Sequence, residues 1–292
     1  MSLMMRVRVC VVAAGVVGAA STVWAQQAPA SSPAYVSGAA GAVAPPAAGE
    51  SEKAEGAEAP EATPAGEELI AGRPGSVEAR GVVQRGVLQF EGGLGYAKDS
   101  TTRTSSLPNG VVRYGLGHGV ELRGANLGFS QISYAGGAAP VLSGASDVQA
   151  GAKVMLLSEQ HAPFELAVVP MLSMPTGVRG LSTSTFDPSI GISTGRALPA
   201  GFDATGLVRA TRLTSGGDRL TQYTAVASLA HDAFKRWTAS TEVVVISGPA
   251  AWSFSAALAR RVSERCQIDV QLGHGISSVA PTWTFGAGIV VR

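Results

Sequence analysis

The sequence predicts an all-β protein, a single antiparallel up-and-down transmembrane β-barrel of about twelve strands, preceded by a signal peptide and a disordered tail. Three observations carry this. Hydrophobic residues make up 46% of the chain and charged residues 15%, against roughly 25% charged in soluble proteins. After the first 25 residues no apolar run is long enough for a spanning helix: the uncharged stretches 124–146 and 243–259 are broken by Gly, Ser and, in both, a Pro. From residue 85 onward, apolar side chains recur at every second position, the period of a strand. A membrane chain without apolar helices must close its backbone hydrogen bonds in a barrel.

Residues 1–25 have the layout of a secretory signal: Arg6 and Arg8, an uncharged stretch from Val9 to Ala20, then small residues at the cleavage positions of Val23-Trp24-Ala25. Removal of this segment takes two Arg and Cys10, so the net charge passes from +1 to −1 and Cys266 stands alone. One Cys makes no intrachain disulfide and no Cys-rich metal site. Residues 26–68 are rich in Ala, Pro, Gly and Ser, with Glu50, Glu52, Glu55, Glu58 and Glu61 near the end. Such a stretch buries too little apolar surface to order itself, and a periplasmic tail is expected. Residues 69–84 form a lead-in, and residues 85–292 the barrel. Residues 69–292 carry 19 Lys+Arg and 14 Asp+Glu.

The strand period is clear at Val87–Ala97, where Leu88, Phe90, Leu94 and Tyr96 alternate with Gln89, Glu91, Gly93 and Gly95. It returns at 111–116, 120–123 and 147–156, in four segments between 164 and 230, and in four more from Trp237 to Val291. Strands of roughly nine to eleven residues suit a tilted crossing of a bilayer. Short turns are expected at 117–119, 158–163, 199–201, 231–235 and 261–265. Longer Gly/Ser/Thr-rich loops are expected at 98–105, 128–146, 176–186 and 211–218. Alternation of short and long connections is the outer-membrane pattern, with short turns on the periplasmic side.

Five segments in order carry a family likeness: Gly86–Asp99 (GVLQFEGGLGYAKD), Leu107–Arg123 (LPNGVVRYGLGHGVELR), Asp147–Leu157 (DVQAGAKVMLL), Leu172–Gly177 (LSMPTG) and Asp218–Tyr223 (DRLTQY). Together they resemble an outer-membrane β-barrel "transporter" family named for a meta-pathway of phenol degradation, over about residues 72–292. The resemblance implies a channel or uptake protein in the bacterial outer membrane, for small hydrophobic or aromatic solutes. It implies the lipid bilayer and the barrel-assembly machinery as partners. Such barrels usually end in an aromatic residue, whereas this chain ends Val290-Val291-Arg292.

The chain offers little catalytic chemistry. His118, His161 and His231 fall in expected turns. His274 lies beside Ser277 and Ser278, a pairing that keeps a barrel-wall hydrolase as a minor alternative. No metal-ligand spacing and no phosphate loop is present, so neither metal nor cofactor is expected. The near-zero charge does not favour nucleic acid. Period two turns nine charged residues inward: Glu91, Arg113, Glu121, Arg123, Asp147, Lys153, Glu165, Glu242 and Asp269. Inward charges either line a water path or pair across the interior and close it, which would make a structural or interaction barrel. A ladder of pairs among Glu121, Arg123, Asp147 and Lys153 is the specific expectation.

Overall fold

A computed structural model describes residues 69–292 apart from 138–139, 216–217, 235 and 249. The expected signal peptide and tail lie outside these residues. Thirteen strands form one sheet: β1 (Leu88–Lys98), β2 (Thr102–Gly117), β3 (Val120–Tyr134), β4 (Leu142–Ala145), β5 (Gln149–Leu157), β6 (Glu165–Ser173), β7 (Asp187–Leu198), β8 (Phe202–Ser215), β9 (Asp218–Phe234), β10 (Trp237–Ile246), β11 (Ala251–Ser263), β12 (Cys266–Gly275) and β13 (Trp283–Val291). Each pairs antiparallel with its neighbours, and β1 closes on β13. Closure leaves an unpaired sheet edge only along the short strand β4, which pairs with β3 alone.

The thirteen strands make twelve staves. β4 and β5 both lie on β3 in one register, with Phe129 opposite Ala145 and Ala125 opposite Gln149. They are one stave interrupted at 146–148. No helix of the described residues is long and apolar enough to cross a membrane.

The molecule is apolar outside and charged inside. Leu88 is 60% exposed, Ile192 55% and Leu272 54%, whereas Arg113, Lys153 and Glu121 are at most 2% exposed. A soluble monomer rarely exposes so continuous an apolar surface. Exposed Tyr114 and Phe202 lie at the end where β1 begins, called here the near end. Tyr96, Phe129, Trp252 and Trp283 lie toward the opposite, far end.

Four boundaries differ from the sequence reading. The expected far-end loops at 98–105, 128–146 and 211–218 are largely strand, since β2 begins at Thr102, β3 runs to Tyr134 and β8 to Ser215. These strand ends are Ser/Thr/Gly-rich, so their composition resembles loop while their ladder pairs hold them in the wall. His231 correspondingly belongs to β9 rather than to a turn.

Candidate functional site: a strand-free segment held inside the barrel

Residues 69–83 do not simply lead into β1. They fold into the near half of the barrel, rise toward β10 and return to meet β2 at the Arg85–Gly115 bridge. Gly and Pro interrupt this stretch (Gly72, Arg73-Pro74, Gly75, Gly81), so it has no strand period. Its backbone groups must instead find partners on the wall.

Eight of the nine sequence-predicted inward residues contact this segment, six through its backbone and two through its side chains. Glu91 accepts from the Gly72 amide at 3.0 Å. Arg113 donates to the Ile70 carbonyl at 2.6 Å. Glu121 accepts from the Val83 amide at 2.7 Å, and Glu165 from the Gly81 amide at 2.7 Å. Glu242 accepts from the amides of Ser76 at 2.7 Å and Val77 at 3.1 Å. Lys153 donates to the carbonyls of Ala79 at 2.5 Å and Gly81 at 2.8 Å. Asp269 takes the guanidinium of Arg73 at 3.0 Å. Arg123 pairs with Glu78. Charge-assisted hydrogen bonds of this kind are the strong ones.

The ninth residue, Asp147, lies elsewhere. It occupies the interruption between β4 and β5, where its two carboxylate oxygens accept from the amides of Gly177 and Thr183, each at 2.9 Å. It anchors the loop between β6 and β7. The expected four-residue ladder therefore does not form. Glu121 and Arg123 do pair, at 2.6 Å, but Lys153 turns to carbonyl oxygens and Asp147 to far-end amides. Main-chain groups of residues 69–83 satisfy Glu121 and Lys153, the Glu78 side chain takes Arg123, and Asp147 is held by the amides of Gly177 and Thr183.

A charged cluster sits at the centre. Arg113 is forked onto Glu121, with both N–O distances 2.9 Å, and reaches Glu91 at 2.7 Å. Glu78 bridges Arg123 and Arg209, the latter at 3.1 Å. At the near-end rim Arg80 is bracketed by Glu159 at 2.6 Å and Asp203 at 3.0 Å. The Ala197 amide holds the Glu159 carboxyl below its usual range, against a small opposing effect of burial and with help from Arg80. Sequence reasoning missed Arg209, whose inward position follows from period two in β8, and the segment residues Arg73, Glu78 and Arg80.

Above the segment the barrel holds a cavity of about 180 Å³ that opens to solvent. Glu78, Arg123, Arg209 and Glu242 form its floor, and Val111, Met171, Leu207, Val226, Val244 and Ile246 line its walls. At the far end the His274 ring lies 4.6 Å from that of Trp283, and the Ser277 hydroxyl accepts from the Trp252 amide. Among the described residues no group of three His, Cys, Asp or Glu side chains is placed to hold a metal ion.

The sequence profile described as "Putative MetA-pathway of phenol degradation" matches residues 71–292. No curated protein matches the chain. Among solved structures, an outer membrane channel from Pseudomonas putida F1 superposes with a TM-score of 0.57 at 15% identity, covering 75% of this chain and 98% of that one. The NanC porin superposes with a TM-score of 0.50 at 9% identity, covering 70% and 100%. At these identities the likeness is one of fold.

Proposed function

This chain belongs to the family described by the MetA-pathway of phenol degradation, and from that premise we propose that it is a bacterial outer-membrane channel for small hydrophobic or aromatic solutes. The observation that carries this reading is the cavity itself: walls that mix apolar side chains with Gln149, Thr224, Ser255 and Gln271, and charged groups at Glu78, Arg123, Arg209 and Glu242, inside a barrel whose outer face is apolar. Pockets for small molecules combine apolar walls with a few placed polar groups. A porin and an outer membrane channel of the same fold support the class. Glu91, Arg113, Glu121, Arg123, Asp147, Lys153, Glu165, Glu242 and Asp269 are then pore-wall residues, eight of them by holding residues 69–83 across the path. The near end faces the periplasm, the signal peptide and acidic tail precede the barrel, and the assembly machinery inserts it.

A second reading is a closed barrel with a structural or interaction role. The packing of residues 69–83 against eight wall charges favours it. Solute flux separates the two. Cells producing the full chain take up a small aromatic solute faster than cells without it if the protein is a channel. Equal rates, with the barrel folded in the membrane, leave only the closed reading.

A further inference from the structure

Two cations face each other on the outer wall of the barrel. Lys98, at the end of β1, is the ladder partner of Arg103 on β2, and both side chains are exposed. Like charges directly opposite each other weaken an antiparallel pair. Among the described residues neither cation forms an ion pair. The carboxylate of this hairpin, Asp99, is turned onto the hairpin tip, where it accepts from the amides of Thr101 at 2.6 Å and Thr102 at 2.7 Å and from both hydroxyls. The repulsion between Lys98 and Arg103 is thus left for an outside anion to relieve.

The neighbours of these cations set their level on the wall. The other ladder partner of Lys98 is Trp283, an exposed indole, and exposed aromatics of this kind mark the membrane–water interface of outer-membrane barrels. Inward of the cations along the same face, Ser105 pairs with Gln131, and then Leu107 pairs with Phe129. Phe129 is 65% exposed and Leu107 53%, and with Tyr96 and Phe285 they border a groove of about 740 Å³ on the outer wall. The face therefore runs in a fixed order from two cations, through a hydroxyl and an amide, to an apolar groove.

We propose that this face of β1, β2 and β3 binds one molecule of a phosphorylated, acylated glycolipid of the outer leaflet, with its phosphate on Lys98 and Arg103, its sugar against Ser105 and Gln131, and an acyl chain in the groove. The proposal rests on the reading above that the barrel spans the outer membrane with its near end toward the periplasm. A phosphate set between the two side chains turns their repulsion into a bridge, since guanidinium forks onto phosphate and ammonium adds a point charge. The intermediate polar pair is what favours a sugar headgroup over a simple phospholipid. The bland role for two such cations is to keep the strand ends solvated, and that role predicts no preference among lipids.

The test uses the full chain extracted from outer membranes in detergent and follows lipid retention by native mass spectrometry. The probes are bisphosphorylated lipid A, the same lipid with its phosphates removed, and phosphatidylglycerol. Intact protein is expected to retain bisphosphorylated lipid A over the other two. Lys98→Ala combined with Arg103→Ala is expected to weaken that retention about tenfold or more, whereas Lys98→Arg with Arg103→Lys keeps it. Arg236→Ala, which removes an exposed cation at the near end, leaves it unchanged. Equal retention by the intact protein and the double Ala variant overturns the site, and phosphatidylglycerol retained as well as lipid A overturns the glycolipid as its occupant. If the double Ala variant does not fold, the comparison of phosphorylated with dephosphorylated lipid A on the intact protein decides alone. A folded protein recovered from the outer membrane without lipid preference overturns the site and leaves the membrane reading standing; a protein absent from that membrane overturns both.

Discussion

Arg209 on β8 donates to Glu78 at 3.1 Å across 131 positions of sequence, and the other oxygen of the same carboxylate is held by Arg123 on β3. One acidic residue of the inner segment thus ties two wall strands that are not neighbours. Glu78→Ala leaves the guanidinium of Arg209 without its carboxylate and Arg123 with Glu121 alone. Removing one member of a buried pair costs about 3 kcal/mol or more. The expected result is a lower unfolding midpoint in detergent and more frequent openings in bilayer recordings; wild-type behaviour in both would show the bridge to be incidental.

Glu242 holds the top of the segment through two amide hydrogen bonds rather than through a cation. Gln at this position keeps an acceptor oxygen, so Glu242→Gln is expected to cost only about 1 kcal/mol. Glu242→Leu removes the acceptor and strands the Ser76 and Val77 amides, at about 3 kcal/mol. Equal effects of the two substitutions in chemical denaturation would contradict this.

Asp147 is expected to matter at the opposite end of the barrel. Asp147→Ala frees the amides of Gly177 and Thr183. Amide hydrogen exchange in residues 176–186 is then faster, and protease cleaves there while the barrel stays intact, because local opening follows the loss of local hydrogen bonds. Unchanged protection of Thr183 would show that the loop is held by other contacts.

The closed barrel was legible because period two is a backbone property, and eight of the nine charges it turned inward meet residues 69–83. It failed where three adjacent staves each carry extra residues. In β2 the buried positions change from Arg113 to Ser106 and Thr104, in β3 from Glu121 and Ala125 to Ser130, and between β5 and β4 from Lys153 to Gly144. Bulges of this kind reverse the facing of everything beyond them, and strict alternation cannot register them. The inner segment was missed for another reason. It meets the wall charges mainly through its own amides and carbonyls, which every residue carries, so residue types at 69–83 say little about where the segment goes. For the irregular staves, Asn126 of β3, with φ of 58° and its side-chain amide on the Asp147 carbonyl of the interruption, is the nearest thing to a local signal, because Asn tolerates the left-handed region better than most residues.

If residues 69–83 restrict a water-filled path through the barrel, planar-bilayer conductance of the folded protein with and without them reveals it. The intact protein is expected to give small, flickering current steps, and the protein lacking 69–83 larger and steadier ones, as the wall charges that held the segment come to line the open path. A deleted protein that is folded and inserted yet carries no current would contradict the claim.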